Sequence, residues 1–510
     1  MLPRVAEDRL RSRPPWRDVS EVVEVGLTRH TGRMIVGVTG RDLDRASLAA
    51  VARRGARVEL APAARAQMLE TRGVVERALA DGTAVYGLST AVGVLKRVTV
   101  ADEAAAYSAR VLRTHHVAQG PPAPLDVVRG TMLRLLDSFA SGVPGVRPEL
   151  AERLVHALND DERPVMRTLG SIGQADLAPM ADLALALFGD MHLAAGEGLA
   201  LVSSNAYATA STALATTDAA ALLETMTAAG ALSLEALCAN RSLLHPAIAA
   251  VRPYPGLERA LSRLRSLLEG SFLWADGAAR NLQDPLTFRN LPHLLGAADD
   301  ALAYLDAQLA IELNASDSNP IVVPDEPRPI SVANFEILPL VTAVDHLRVV
   351  LASVLSASTE RAVKLLESPW SGLPTGLARQ PDSSDPGLAY LAIVSQSLAA
   401  EARLLAQPVS LEMASTAHAE GIEDRATMAP LAARRLAEQV ALGRRIVAIE
   451  LVVAAQAVDL RGSRPLGRGT TEARAFVRDV VPPLGPGDMV PDVEPLVTRL
   501  DGGESPVTVA

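Results

Sequence analysis

The sequence is poor in cysteine and in aromatic residues. Its single cysteine, Cys238, excludes an intrachain disulfide and a zinc site built on cysteines, and it suits a reducing cytosol. Aromatic residues make up 3% of the chain, whereas alanine and leucine, which favour helices, recur throughout. Because β-sandwiches draw on β-branched and aromatic residues, the composition predicts a mainly α-helical protein.

The chain also lacks an excess of positive charge. Its 49 Lys and Arg residues are outnumbered by 59 Asp and Glu residues, which argues against a nucleic-acid partner. The uncharged stretch 198–217 is rich in Ser, Thr and Asn, so we do not expect it to span a membrane. The N-terminus has no apolar signal-peptide core. We therefore expect a cytoplasmic protein without membrane contacts.

Composition changes divide the chain into four regions. Residues 1–35 are polar and Arg-rich and predict an N-terminal arm. Residues 36–220 begin with a short strand and hold moderate helices with glycine-rich loops, and residues 481–510 form a Pro/Gly-rich tail. Residues 221–480 carry most of the long periodic runs, which predict a bundle of near-parallel helices. These runs cover 197–240, 255–270, 288–313, 334–367, 387–406 and 427–460.

Several short motifs hold groups that could carry chemistry, and each also has a structural explanation. Tyr86, on a loop of small residues, could exchange a proton or simply pack. Arg289 near the start of a predicted long helix is electrostatically unfavourable, which indicates a bound anion, although a salt bridge would also explain it. His115 and His116 are adjacent, so on a helix they face different directions and form no metal clamp. No metal site is predicted.

Glycine-rich and acidic turns precede two of the predicted helices. The loop Gly170–Pro179 leads into a helix near Asp176, whose free N–H groups could hold an anion, or Asp176 could be an ordinary cap. The acidic turn 420–424 is likewise open to capping. A polar turn at 312–320 is typical of a helix end.

Taken together, the order and spacing of these motifs resemble the aromatic amino acid ammonia-lyase and aminomutase family over roughly residues 35–460. The resemblance implies an ammonia-lyase-like fold, in which a long central helical bundle follows a smaller mixed N-terminal region. It also implies a homotetramer whose active sites combine loops from several subunits. The motifs that carry it are 86–90, 115–116, 142–147, 170–179, 197–201, 283–285, 312–320, 334–335 and 423–424.

The resemblance fails at the family's electrophile. Family members cyclise and dehydrate an Ala-Ser-Gly tripeptide to form a methylidene-imidazolone group. Here Gly173-Gln174-Ala175-Asp176 stands at that position, one residue shorter and without a serine hydroxyl to eliminate. Nearby Ser171 is followed by the β-branched Ile172, which is unsuited to the tight cyclisation. We therefore expect no such group and no other cofactor.

Three further departures surround the same chemistry. Leu286 stands where the family has a second tyrosine, Ser203-Ser204 replaces an Asn-Gly pair, and Glu336 follows Asn334-Phe335 in place of His or Gln. What survives is the acid/base and binding part of the family's site. The resemblance implies catalytic roles for Tyr86 and Glu423, and substrate binding by His116, Ser203, Gln283, Arg289, Asn319 and Phe335.

Three functional hypotheses follow. The leading one is a lyase- or isomerase-type enzyme in which Tyr86 moves a proton, Arg289 holds a carboxylate and helix starts near Asp176 stabilise negative charge. Its reaction on a small carboxylate would be elimination, conjugate addition, isomerisation or cyclisation, in specialised metabolism. The second is an inert homologue that acts as a binding or scaffold partner. The third is an ordinary aromatic amino acid ammonia-lyase whose electrophile forms from Ser171.

Overall fold

The computed structural model describes residues 27–30, 33–100, 104–379, 384–411 and 419–508. Helices dominate this part of the chain, as the composition predicted. In chain order they are α1 (Arg45–Arg54), α2 (Pro62–Ala80), α3 (Ala104–His115), α4 (Leu125–Ala140), α5 (Pro148–Asn159), α6 (Leu177–Phe188), α7 (Glu197–Val202), α8 (Ala206–Leu237), α9 (Ala247–Val251), α10 (Pro255–Leu267), α11 (Leu286–Arg289), α12 (Leu291–Asn314), α13 (Leu338–Leu366), α14 (Ser368–Ser371), α15 (Leu391–Leu404), α16 (Ala429–Leu460), α17 (Arg468–Arg478) and α18 (Glu494–Asp501).

Two small sheets lie in the N-terminal region. Strand β1 (Leu27–His30) runs antiparallel to β2 (Arg33–Val38), which pairs in parallel with β3 (Arg57–Leu60). Strands β4 (Gln119–Pro122) and β5 (Arg167–Leu169) form an antiparallel pair. Most of the predicted arm lies outside the described residues, and its last part enters the first sheet.

The central bundle is built around α8 and α16, which are each 32 residues long. At 1.5 Å per residue each spans about 48 Å. Small residues let the helices approach closely: a Cβ added at Gly443 of α16 would lie 2.6 Å from Leu222 of α8. Helices α12, α13 and α15 complete the bundle. The predicted region boundary at residue 220 falls inside α8.

Two apolar segments of the bundle are long enough to cross a membrane by length and composition. They are Glu197–Leu237, of which 83% of the most apolar window is buried, and Leu338–Leu366, of which 61% is buried. Both pack inside the bundle, where a core helix needs the same apolar composition.

A buried ion pair joins three of the long helices. Arg361 of α13 donates to both carboxylate oxygens of Glu450 on α16, at 2.6 and 2.9 Å. Ser233 of α8 donates to the same carboxylate at 2.8 Å, and Ser358 of α13 also donates to it. The carboxylate therefore has a partner on each neighbouring helix.

The periodic run 197–240 is not one helix, because it breaks at Ser203–Asn205. There Ser204 donates to Asp317 at 3.0 Å, the backbone N–H of Asn205 donates to the same carboxylate, and the carbonyl of Ser204 accepts from Asp176 at 2.8 Å. These bonds satisfy polar groups that a helix end leaves unpaired. The break places the start of α8 beside loop 170–176.

Candidate active site

A cavity of about 780 Å³ opens beside the start of α8. Its wall is formed by the loop that carries Tyr86, by α3, by loop 170–176 and by the turn before α16. Seven of the twelve residues predicted for the site line it. They are Tyr86, Gln174, Ala175, Ser203, Asn319, Phe335 and Glu423.

Tyr86 is held with its hydroxyl on the backbone of its own loop. That hydroxyl accepts a hydrogen bond from the N–H of Gly93 at 3.0 Å. Burial raises the pKa of Tyr86, the Gly93 hydrogen bond opposes this, and the charge of Glu423 raises it further. The phenol therefore stays protonated at neutral pH, and it can act as a base only when a nearby cation lowers its pKa.

The turn after Tyr86 requires glycine. Gly87 has a φ of +72°, and a Cβ there would lie 2.1 Å from the Leu199 side chain. Both the left-handed backbone and the close approach to α7 exclude a larger residue. This turn fixes the side chain of Tyr86 against the cavity.

Glu423 lies on the turn that precedes α16 and faces the same cavity. Tyr86 lines this cavity too, and the charge of Glu423 raises the pKa of Tyr86. Glu420 in the same turn lies 3.6 Å from the ammonium of Lys96. This ion pair connects the turn to the Tyr86 loop.

At the electrophile position the structure places the amide of Gln174. Its Nε2 donates to Glu336 at 3.0 Å, and Glu336 also accepts from Arg425 at 3.1 Å. Gln174 and Glu336 are two of the departures from the family pattern, and they are direct hydrogen-bond partners. Gln174 and Glu336 thus provide hydrogen-bond partners for one another.

The backbone of loop 170–176 is fixed by the segment before α16. The carbonyl of Ile172 accepts from Thr427 and Met428 at 3.1 and 2.9 Å, and that of Gly173 accepts from the Thr427 hydroxyl at 2.8 Å. Gly173 has a φ of +80°, and a Cβ there would lie 2.2 Å from the Thr427 Oγ1 atom. Ala175 also adopts a left-handed φ of +56°, an uncommon backbone conformation for alanine.

Asp176 lies behind this loop as a wholly buried carboxyl group. It accepts from the Ser171 hydroxyl at 2.8 Å and from the N–H of Ala208 at 2.8 Å. Burial raises the pKa of Asp176 to about 7, and the charge of Asp317 adds to the effect. The Ser171 hydroxyl connects this carboxyl to the cavity.

These residues do not fit the family's methylidene-imidazolone group. The hydroxyl of Ser171, the only serine in loop 170–176, donates to Asp176 and accepts from Gly173. An Ala-Ser-Gly tripeptide does occur at Ala140-Ser141-Gly142, but it ends α4, where the N–H of Gly142 donates to Phe139. That tripeptide does not line the cavity.

Asn205, which the motifs did not single out, is the buried N-cap residue of α8. Asn205 donates from Nδ2 to the carbonyls of Gly173 and Phe335, both at 3.3 Å. It thus supplies an amide two residues after Ser203, where the family has its asparagine. Asn319 lines the cavity and accepts from the N–H of Val332 at 3.0 Å.

His116 does not line the cavity, whereas its neighbours His115 and Val117 do. The His116 Nε2 lies 3.1 Å from Asp182, a carboxylate that also accepts from Arg167. Consecutive residues at a helix end face different directions. His116, predicted to bind substrate, is thus directed toward the Arg167–Asp182 ion pair.

Gln283 and Arg289 also lie outside the cavity of their own chain. Both are exposed, and the Arg289 guanidinium donates to the carbonyl of Asp284 at 2.7 Å. The prediction that Arg289 begins a long helix is wrong. It ends the four-residue helix α11, where a cation is favourable, so its position does not by itself indicate an anion.

Helix α3 contributes four cavity residues, of which the motifs had named only His115. Tyr107, Arg110, Thr114 and His115 line the cavity, and the Tyr107 hydroxyl accepts from the N–H of Val92 at 2.9 Å. The spacing of 107, 110 and 114 places them on one helix face, which was the available signal. Arg110 brings a cation into the cavity of a single chain.

Within the described part of the chain, no three His, Cys, Asp or Glu residues are placed to hold a metal ion. The polar groups of the cavity wall include two tyrosines, a carboxylate, an arginine, a histidine and amides. Such a set can bind an anionic group, surround a cation and transfer a proton.

The sequence matches the family described as aromatic amino acid lyase over residues 43–192 and 190–479. Among its relatives, the histidine ammonia-lyase of Symbiobacterium thermophilum is 34% identical over 492 residues, which covers 91% of this chain and 96% of the relative. The histidine ammonia-lyase of Deinococcus radiodurans is 33% identical over 477 residues, covering 88% and 90%.

Solved structures agree with this assignment. An ergothioneine-degrading enzyme, Ergothionase from Treponema denticola, in complex with desmethyl-ergothioneine sulfonic acid, superposes with a TM-score of 0.87 and 29% identity, covering 92% of this chain and 99% of that one. The tyrosine aminomutase of Streptomyces globisporus gives a TM-score of 0.85 at 25% identity, covering 92% and 97%. On the sequence match, the relatives and the shared fold, the chain belongs to the aromatic amino acid lyase family.

Proposed function

We propose that the chain is a lyase of this family that works without the methylidene-imidazolone group, by acid/base chemistry at Tyr86 on a small carboxylate-bearing substrate. One observation carries the proposal: the amide of Gln174 stands at the electrophile position and is hydrogen-bonded to Glu336. A side-chain amide has no methylidene carbon to which an amine could add. The reaction must therefore use a leaving group that needs no activation.

A quaternary ammonium group meets this requirement, because it departs as a neutral tertiary amine. The aromatic rings of Tyr86, Tyr107 and Phe335 and the carboxylate of Glu423 line one cavity, and such a set attracts a quaternary cation. Similarity to an ergothioneine-degrading enzyme supports this substrate class, since ergothioneine is a trimethylammonium betaine. Among the reactions open to the site, we favour elimination.

The elimination has a simple balance. Tyr86 as phenolate takes a proton from the carbon next to the nitrogen-bearing carbon, and that C–H electron pair forms the C=C bond. The C–N bond breaks and its electron pair leaves with the amine. The cation of the bound substrate lowers the pKa of Tyr86, which burial holds above its usual value of 10.0, and so creates the base where it is needed.

The substrate carboxylate has two candidate partners. Arg110 lies in the cavity of the same chain. Arg289 and Gln283 are exposed and could enter the cavity of another copy. We propose a cytoplasmic homotetramer in which they do so, as the family resemblance implies. Arg289 then binds the carboxylate bidentately.

The test is a substrate panel. The pure protein is incubated with ergothioneine, with trimethylammonium derivatives of aromatic amino acids, and with L-histidine, L-tyrosine and L-phenylalanine. We expect acrylate absorbance and free tertiary amine from at least one betaine and no ammonia from the free amino acids. Tyr86→Phe should lower this turnover by about 10²–10⁴-fold, and Tyr390→Phe, outside the cavity, serves as control. Silence with every compound favours the inert-partner alternative.

A second candidate is an ordinary ammonia-lyase, which is favoured by relatives named histidine ammonia-lyase at 33–34% identity. It requires a protein-derived electrophile, whose formation loses water. Intact-mass spectrometry of the purified chain separates the two candidates. The unmodified mass, together with betaine turnover, supports the proposal. A mass deficit of one or two waters with ammonia release from L-histidine overturns it.

A further inference from the structure

A second large cavity lies at the other end of α8, away from Tyr86. Its volume is about 410 Å³, within the range of about 300–1,000 Å³ usual for small-molecule sites. Arg461 and Arg464 on its wall contact the last turn of α8 and the residue that follows: Arg461 donates to the carbonyl of Ala236, and Arg464 donates to the sulfur of Cys238 at 3.4 Å. None of its lining residues belongs to the candidate active site.

The wall of this cavity is strongly positive. It contains four arginines and one acidic residue, Asp459, although the chain as a whole carries a net charge of −10. The four arginines are Arg379, Arg461, Arg464 and Arg474. A cavity lined by one sign of charge concentrates ions of the opposite sign.

The single carboxylate is already used by two guanidinium groups. Asp459 accepts from Arg474 at 2.6 Å and from Arg478, which lies behind the wall, at 2.9 Å. Among the described residues, no carboxylate lies within ion-pair distance of Arg461 or Arg464. Arg461 donates only to the carbonyls of Ala236 and Ser371. These two guanidinium charges are solvated by neutral groups.

The like charges of this cluster repel one another. Burial lowers the pKa of Arg461, and the charges of Arg464 and Arg280 lower it further. Arg478 has a lowered pKa for the same reasons, with Arg474 and Arg379 as the repelling charges. A bound anion would remove this repulsion and gain charge-assisted hydrogen bonds.

We propose that this cavity binds a small polyanion bearing phosphate groups, such as pyrophosphate or a phosphate ester. Planar guanidinium groups match phosphate oxygens bidentately. Ser463, between Arg461 and Arg464 on the wall, adds a hydroxyl donor, and the Arg464 guanidinium is steadied over the ring of Phe272 at 5.1 Å. Because the wall carries several positive charges, its ligand should carry more than one negative charge.

The test measures binding to the intact protein by calorimetry and thermal shift. The probes are pyrophosphate and adenosine diphosphate, with sodium chloride at the same ionic strength as the reference. We expect one probe molecule per chain and a raised Tm. Equal affinities identify free inorganic phosphate as sufficient, whereas tighter binding of the nucleotide identifies a phosphate ester.

Two variants locate the site. Arg464 and Arg379 are exposed, so Arg464→Gln and Arg379→Gln should fold, which circular dichroism checks. Each should weaken pyrophosphate binding about tenfold, the value of one hydrogen bond to a charged group. Arg65→Gln, which removes an exposed arginine paired with Glu152 elsewhere, should bind as the wild type does. A response no larger than that to sodium chloride, or unchanged affinity in both cavity variants, overturns the proposal.

Discussion

At the residue scale, the proposed base is Tyr86, a tyrosine whose pKa is raised above its usual value. The Tyr86 phenol is buried, accepts one backbone hydrogen bond and faces the charge of Glu423, so its pKa lies above 10.0. In the proposed reaction the cationic group of the substrate lowers the pKa of Tyr86. Under this proposal, Tyr86 becomes a base only when the right substrate is bound.

The pH profile of the betaine elimination tests this coupling. Since kcat/KM reports the free enzyme, we expect kcat/KM to rise about tenfold per pH unit from neutrality to about pH 9, without a plateau. The kcat profile should level off at lower pH, because the bound cation lowers the pKa of Tyr86. Tyr86→Phe should lower kcat by about 10²–10⁴-fold. Coincident plateaus near pH 7 in both profiles contradict the assignment of Tyr86 as the base.

Asp176 gives a second prediction, on stability. Its folded-state pKa is raised to about 7 from 3.8, so the carboxyl favours folding while protonated. Its contribution is complete below about pH 4 and is lost as the pH rises through 7. Asp176→Asn should therefore reduce the decrease in Tm between pH 5 and pH 8. The exposed Glu70→Gln serves as control, and an unchanged pH dependence of Tm in Asp176→Asn would refute the prediction.

At the scale of elements, the carboxylate of Glu450 joins three packed helices through hydrogen bonds. Glu450 of α16 accepts from Arg361 and Ser358 of α13 and from Ser233 of α8, and both charged side chains of the pair are fully buried. Such a pair specifies which faces meet, although its net contribution to stability is small compared with its cost when broken.

Breaking this pair from one side should be costly. Glu450→Ala leaves the Arg361 guanidinium buried without its partner, so we expect a loss of about 3–5 kcal/mol in the free energy of unfolding. The double variant Arg361→Met with Glu450→Leu should recover a large part of it, because apolar side chains pack in the same space. Thermal and urea unfolding of both variants measure this. A double variant no more stable than Glu450→Ala contradicts the explanation.

At the scale of the whole molecule, one chain brings together Tyr86, Glu423, Asn319 and Phe335 but leaves Arg289 and Gln283 outside. This division is what a composite site shared between copies requires. Leu282 and Leu286, on either side of Gln283, are 90% and 63% exposed in the single chain, and the interface of the proposed tetramer would cover them.

Subunit complementation tests the composite site. Tyr86→Phe and Arg289→Ala should each be inactive as homotetramers in the betaine assay. Refolding the two variants together should restore part of the activity, because some mixed sites then combine wild-type Tyr86 with wild-type Arg289. Light scattering checks for a tetramer of the 53.6 kDa chain. Mixtures without activity, or a monomer in solution, contradict the shared site.

The sequence by itself determined the helical class, the family and seven residues of the cavity wall. These depend on composition, on periodicity and on motifs whose residues, such as Tyr86 and Gly87, act through their own loop. The sequence also showed that no serine stands at the electrophile position. This could be seen without the structure, because the cyclisation involves only consecutive residues.

Only the tertiary structure decided how distant segments meet. It broke the run 197–240 at Ser203, because the Asp317 carboxylate accepts from the N–H of Asn205 and the N–H of Asp176 donates to the carbonyl of Ser204. It paired Gln174 with Glu336, 162 residues away, and turned His116 toward Asp182 rather than the cavity. Such outcomes depend on which polar groups still need hydrogen-bond partners once the helices have packed. No local sequence pattern encodes these pairings.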